Sequence, residues 1–282
     1  MKKTIALITV FVLLFSFAAC KKDDNTKTTT RNMQQQEIVV HETVTDENGE
    51  LVTDSHGETV TVTEIHTELI TEPQSLSGNP EEWTIDEIVA YYKSSALKSH
   101  GTAKSTQTMT LTEMVVNNGD GTLAKAVEFV TPFMTNALEN NSTEIDGITG
   151  GFNNLVASDV KSARAYKSGN YTVIEMTMKE QTDGLHGDTY SGTVGHAISV
   201  VGDISVVQEE LPMFDIDFDN ADFSMHYMNP ILKVKINEDG IIEKGTWSYT
   251  VEIDLKNLKV EFVTVDTGYG KVDYVITVGG GF

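Results

Sequence analysis

Cysteine is almost missing from this chain. Its 282 residues hold one, Cys20, so no intrachain disulfide can form and any folded body must be held by its own core. Basic charge is also scarce. Twenty Lys and Arg face 42 Asp and Glu, a net charge of −22, which weighs against nucleic acid and against binding a bare anionic surface. The catalytic signatures G-x-S-x-G, the Walker loop and the G-x-G-x-x-G dinucleotide fingerprint do not occur. Long apolar runs are limited to one, Ile5 to Phe17, which is shorter than the roughly 20 residues a spanning helix needs. No cofactor is called for by any of these features.

That apolar run has its own context. Lys2 and Lys3 precede it, and Ala18-Ala19 follow it directly before Cys20. A positive start, a short apolar stretch and small residues form the layout of a secretory signal. The Ala19-Cys20 junction resembles the lipobox of bacterial lipoprotein signals, with Phe17 standing where an aliphatic residue is usual. The resemblance implies removal of residues 1–19 and a thioether from Cys20 to diacylglycerol, with fatty acyl chains such as palmitate in the membrane. An exported protein with one stray thiol would be odd, whereas a thiol consumed by lipid is not. Two acyl chains suffice for stable anchoring, since each buried methylene adds about 0.8 kcal/mol. The expected location is the outer face of the cell membrane, extracytoplasmic and lipid-anchored.

Residues 20–80 read as a lipid-anchored linker. Lys21 to Gln36 is polar and Thr-rich, without apolar periodicity. Between Asn32 and Pro80 there are ten acidic residues and no Lys or Arg. A repeat of period eight lies inside, Val44-Thr45-Asp46-Glu47-Asn48-Gly49-Glu50 and then Val52-Thr53-Asp54-Ser55-His56-Gly57-Glu58. Asn48-Gly49 is a strong turn signal, and Val and Thr between turns favour extended chain. The expectation is an extended acidic spacer with at most one hairpin. Similar repeats occur in stalks of Gram-positive surface proteins, a likeness of composition.

Residues 81–282 are expected to form one domain, long enough to bury roughly 70% of its unfolded surface. Thr84 with Glu87 makes a capping box, and Trp83 with Ile88 has hydrophobic-staple spacing. Ile85, Ile88, Val89, Tyr92 and Ala96 then give one helix face. Thr106 to Val116 reads as a strand ending in the turn from Asn117 to Gly121. A second helix is expected from Thr122, with Leu123, Val127, Val130, Met134 and Leu138 on one side and a kink at Pro132. Ser158 to Tyr166 and Tyr171 to Lys179 are strand signals. Thr193 to Glu210 fits helical spacing, with a hairpin about Gly202-Asp203 as the other reading. Its length and Pro212 favour a helix.

Beyond Phe214 the period is two. Phe214, Ile216 and Phe218 alternate with Asp215, Asp217 and Asp219, and the register shifts near Asn220, which predicts a bulge or a break. Trp247, Tyr249, Val251, Ile253 and Leu255 form the clearest apolar stripe, and Val272, Tyr274, Ile276 and Val278 close a meander. Strict alternation means antiparallel strands with one buried and one wet face. The expected fold class is α+β: a long curved antiparallel β-sheet with two or three helices packed on its apolar face.

Two kinds of site suggest themselves. Asp183, His186, Asp188 and His196 lie in or beside a Gly-rich stretch and carry zinc-ligand chemistry, without the spacing of a zinc motif. A solvated loop accounts for the same residues. The Asp215, Asp217, Asp219 run fails the calcium-loop pattern, with Asn220 in the glycine position and His226 in the Glu position. Of eight methionines in the domain, Met176, Met178 and Met225 join Trp247 and Tyr249 as side chains suited to an apolar ligand or lipid, and equally to an ordinary core.

The layout across the domain, a helix feeding a strand at Tyr91 to Thr112 and then a long meander, resembles the LolA/LppX-type lipoproteins. That likeness implies a curved sheet and helices around a lipid-binding cavity, and transfers no binding residue. The chain is also similar to Gram-positive lipoproteins to which no activity is attached. Two functions follow as expectations: a non-enzymatic carrier or binding module, and a metal-dependent extracellular enzyme using the His186 region.

Overall fold

A computed structural model of the chain describes residues 36–43, 61–68, 78–119, 121, 124–125, 143–148, 151–206, 216–260 and 263–282. The chain forms two compact units, Asp23–Ser75 and a larger one that includes Leu76–Phe282. In the smaller, β1 (Gln36–Thr43) and β2 (Thr61–Glu68) pair antiparallel from Gln36 against Glu68 to Thr43 against Thr61. These two strands pair within the segment expected to be an extended spacer. The period-eight repeat between them, like the export segment, lies outside the described residues.

The larger unit is built on an open, antiparallel, nine-stranded sheet. Its strands are β3 (Lys104–Val116), β4 (Thr143–Asp146), β5 (Val160–Ser168), β6 (Tyr171–Met178), β7 (Gln181–Asp183), β8 (Ile216–Asp217), β9 (Asp222–Ile236), β10 (Ile242–Val260) and β11 (Val263–Val278). Spatial order is β4-β3-β11-β10-β9-β6-β5, with β7 paired to β9 and β8 to β10. Period-two sequence produces this directly. On β10, Trp247, Tyr249, Val251, Ile253 and Leu255 are all buried, while Ser248, Thr250, Glu252 and Asp254 face outward. Val272, Tyr274, Ile276 and Val278 of β11 continue the same buried face.

The alternation of β9 changes parity midway. Met225 and Tyr227 are buried, and so are Leu232, Val234 and Ile236, five residues on from Tyr227 rather than an even number. Met228 pairs Thr250 and Ile231 pairs Ser248, so Asn229 and Pro230 together oppose Tyr249. That is a bulge. Asn229 takes the left-handed conformation with φ 50°, and Pro230 has no N–H to leave unpaired. The extra residue turns the strand over, and both of its halves keep their apolar side inward. The shift expected near Asn220 is a break: Ala221 N–H donates to the Phe218 carbonyl at 3.0 Å between β8 and β9.

Helix α1 (Ile85–His100) starts at the predicted box, with Thr84 N–H donating to Glu87 Oε2 at 2.8 Å and Glu87 N–H to Thr84 Oγ1 at 3.3 Å. It buries Ile88, Val89, Tyr92 and Ala96. Ser99 Oγ accepts from Ile242 N–H at 2.8 Å, and Trp247 Nε1–H donates to the Tyr92 hydroxyl at 2.9 Å. Both bonds join the helix to β10. Most of the second predicted helix, Leu138 included, lies outside the described residues.

The helix expected from Thr193 to Glu210 is much shorter. Helix α2 covers Gly192–Ala197, the chain then runs irregularly through Gly202, and a single 3-10 turn follows at Ile204–Val206. Ile198, Val200 and Val201 are β-branched and Ser199 competes for backbone hydrogen bonds, so this run is a poor helix former. Ser199 leaves the helical region altogether at φ 122°. Val194, Ala197, Ile198, Val200 and Ile204 are nevertheless buried, so the apolar spacing reflects burial of an irregular segment rather than a helix.

Candidate functional site

The Gly-rich segment from Thr182 to Gly195 folds as a loop closed by its own side chains. Asp188 Oδ1 accepts from Tyr190 N–H at 2.8 Å, and Gln181 Oε1 accepts from Val194 N–H at 2.8 Å at the start of α2. Its glycines serve packing: a Cβ on Gly195 would lie 2.8 Å from the Tyr190 carbonyl carbon.

The four residues singled out for metal take four different partners. His196 Nδ1 sits 2.9 Å from Asp159 Oδ2, a carboxylate that also accepts from Val156 N–H at 3.0 Å. His186 Nδ1 sits 3.2 Å from Asp203 Oδ1. Asp188 closes the turn just described, and Asp183 accepts from Gln181 Nε2 with both oxygens at 2.9 Å. Among the described residues, no three His, Cys, Asp or Glu side chains are grouped to hold a metal ion. Of the acidic run, Asp217 Oδ1 accepts from Asp219 N–H at 2.9 Å in the turn after β8, and Asp215 lies outside the described residues.

The five side chains singled out for an apolar ligand all lie on the buried face, on β6, β9 and β10. Four are sealed. Met178, Met225 and Trp247 keep no accessible surface and Met176 keeps 1%. Tyr249 differs, because it keeps 4% and its hydroxyl makes no hydrogen bond among the described residues. Among the described residues, Trp83 Nε1 is the fully enclosed polar side-chain atom without a partner.

Its surroundings are polar. Tyr249 and Tyr274 are direct partners across β10 and β11, their rings stacked at 4.8 Å and 16°. Tyr227 of β9 meets Tyr249 edge-on at 5.3 Å. The outer two tyrosines are engaged by one loop. Tyr227 OH accepts from Val201 N–H at 3.1 Å, and Tyr274 OH lies 3.3 Å from Ser199 Oγ and donates to Gln107 Oε1 at 2.7 Å. The middle hydroxyl is passed over. At the β7 edge Gln181 pairs Tyr227 and Asp183 pairs Met225, both on the inward side of β7 and β9. Burial pushes its carboxyl above the ordinary aspartate range, and the Gln181 bonds offset only part of that. Burial also drives Tyr249 and Tyr227 far up, and the Asp183 charge adds to both.

Sequence reasoning identified Tyr249 and Asp183 for separate reasons and missed Tyr227, Tyr274, Ser199, Gln181 and Gln107 as their neighbours. Tyrosines at inward positions of successive strands were visible. Their alignment in one row depends on the Asn229 bulge and on strand register, which spacing does not state. No protein family, curated protein or solved structure matches this chain.

Proposed function

We propose that this chain is an extracytoplasmic lipoprotein, anchored by diacylglycerol on Cys20, whose sheet domain is a non-enzymatic binding module for an apolar ligand. Anchoring is supported by the Lys2-Lys3 start, the apolar run and the Ala19-Cys20 junction. No helix among the described residues is long and apolar enough to span a membrane, so lipid is the attachment this reading relies on. The folded domain carries the helices on the apolar face of a curved sheet, the layout that resembles LolA/LppX-type lipoproteins. The link between Tyr92 and Trp247 supports it.

The observation that carries the binding reading is Tyr249, whose hydroxyl makes no hydrogen bond among the described residues although the side chain is buried on the apolar face. A ligand would enter there, with Met225 and Trp247 behind it. The metal-dependent alternative has less support, because His186 and His196 are spent on separate aspartates. Thermal melting of the full chain in detergent with and without oleate tests the reading, since a ligand that binds only the folded state stabilises by mass action. A saturable rise in melting temperature, with a shift in tryptophan fluorescence at the same midpoint, is the expected result. A melting temperature unmoved by oleate would exclude the apolar ligand.

A further inference from the structure

The outward face of the sheet is sorted by charge along its strands. On β10 the outward positions run Lys244, Thr246, Ser248, Thr250, Glu252 and Asp254. At the first end Lys244 is the direct cross-strand partner of Lys235, a like-charge pairing that destabilises a sheet. Neighbouring Lys233 and Arg164 are spent on Glu175, and neither Lys235 nor Lys244 forms an ion pair among the described residues. The other end is the reverse. Lys271 stands in register between Glu252 and Glu113 and binds Glu252 at 3.0 Å, while Asp254, Asp273 and Glu113 form no ion pair among the described residues. Between the ends the face is neutral, with Ile231, 43% exposed, in one cross-strand row with Ser248 and Val275.

We propose that this face pairs with the same face of a second copy, through a two-fold axis that lies between the two sheets and runs across their strands. That operation reverses β10 upon itself about the level of Tyr249. Lys244 of each copy then stands over Asp254 of the other, and the neutral rows meet at the centre. Charge complementarity selects this occupant. An anionic surface would suit one end and be repelled by the other, and a cationic one the opposite, whereas a reversed copy satisfies both ends at once. The area is adequate. About 33 Å of β10 from Lys244 to Asp254, across four strands about 4.8 Å apart, gives on the order of 600 Å² per copy before side-chain relief is counted. A stable pair uses roughly 800 Å² per partner. The net charge of −22 opposes association, but salt screens charges beyond about 8 Å, so facing charges at contact outweigh distant ones. The pairing rests on the outward face alone and not on the proposed ligand.

Sedimentation velocity of the full chain in detergent tests it, with Cys20→Ser as the parent so that no lipid gathers copies in one micelle. A monomer–dimer equilibrium in the micromolar range, weakened by added salt, is expected. Lys244→Glu and Asp254→Lys should each weaken the dimer at least tenfold, because two-fold symmetry makes each swap replace two attractions by two repulsions. The two swaps move net charge in opposite directions, so global charge cannot produce both losses. Combined in one chain, they should restore the dimer to within about threefold of the parent. Both positions are exposed, so the variants should fold as the parent does. A monomer up to about 100 μM, single swaps without effect, a tighter dimer for Asp254→Lys, or a double variant no tighter than the single ones would overturn the pairing.

Discussion

The indole N–H of Trp247 donates to the hydroxyl of Tyr92 at 2.9 Å, across 155 residues of chain and between two side chains that keep no accessible surface. Each supplies what the other lacks. The indole has a donor and no acceptor, and the hydroxyl of Tyr92 offers the oxygen. The bond fixes which turn of α1 sits over which residue of β10. Gly245 completes the arrangement, because the Trp247 ring lies where a side chain on that residue would be.

Tyr92→Phe is therefore expected to destabilise the domain by about 1–3 kcal/mol, the cost of leaving a buried donor unpaired. At a domain of this size that is a fall of about 2–4 °C in melting temperature per kcal/mol. Urea denaturation followed by far-UV circular dichroism would show a lower midpoint at unchanged slope. A midpoint equal to wild type would mean that the bond contributes nothing.

The bulge in β9 gives a second expectation, in which shape matters more than chemistry. Asn229→Gly should be tolerated, because glycine takes φ 50° freely. Asn229→Val should cost about 1–2 kcal/mol in that left-handed conformation. Deleting Asn229 should be far worse, since one residue fewer turns Leu232, Val234 and Ile236 toward water or Met225 and Tyr227 outward. Melting temperatures for the three variants check this ordering. A deletion variant as stable as Asn229→Gly would refute the parity argument.

Much of the fold was legible where one period held over many residues. The capping box at Thr84 and Glu87, the stripe from Trp247 to Leu255 and the meander after it follow from local spacing, and the structure shows each. Spacing failed between Thr193 and Glu210, where buried Val, Ile and Ala at helical intervals belong to an irregular segment pinned by Ser199 and Val201 to tyrosines on distant strands. The candidate site shares that difficulty. Tyr227, Tyr249 and Tyr274 are far apart in sequence and meet only through the order β9-β10-β11, which no local pattern encodes. His186 and His196 looked like ligands by residue type. Their partners, Asp203 and Asp159, stand 17 and 37 residues away in sequence.

The proposed anchor has a direct test. Cys20→Ser removes the only thiol in the chain, and with it the proposed acceptor for diacylglycerol. The variant should leave the membrane fraction on cell fractionation, or accumulate with residues 1–19 still attached. Metabolic labelling with palmitate should mark the wild-type chain alone. Wild-type partitioning and labelling by the serine variant would refute the lipoprotein reading.

The pH dependence of Asp183 offers the last expectation, and its sign separates it from the surface carboxylates. Burial raises this carboxyl in the folded state above its value in the unfolded chain. The folded state then binds the proton more tightly, so this group's contribution to stability falls as pH rises from the ordinary aspartate value, about 3.9, through the raised one. Above that window the charged side chain remains a constant burden. Glu175 behaves oppositely, because the bonds from Lys233, Arg164 and Tyr166 outweigh its burial and lower its pKa, adding stability that is lost as pH falls. Asp183→Asn keeps an oxygen for Gln181 and removes the charge, so the variant should melt above wild type near neutrality. That advantage should shrink as pH falls and vanish well below about 3.9, where Asp183 is neutral in both states. Subtracting the two melting curves at each pH cancels Glu175 and every other carboxylate common to both proteins. An asparagine variant that melts below wild type near neutrality would mean that the charge of Asp183 is already compensated in the unliganded protein.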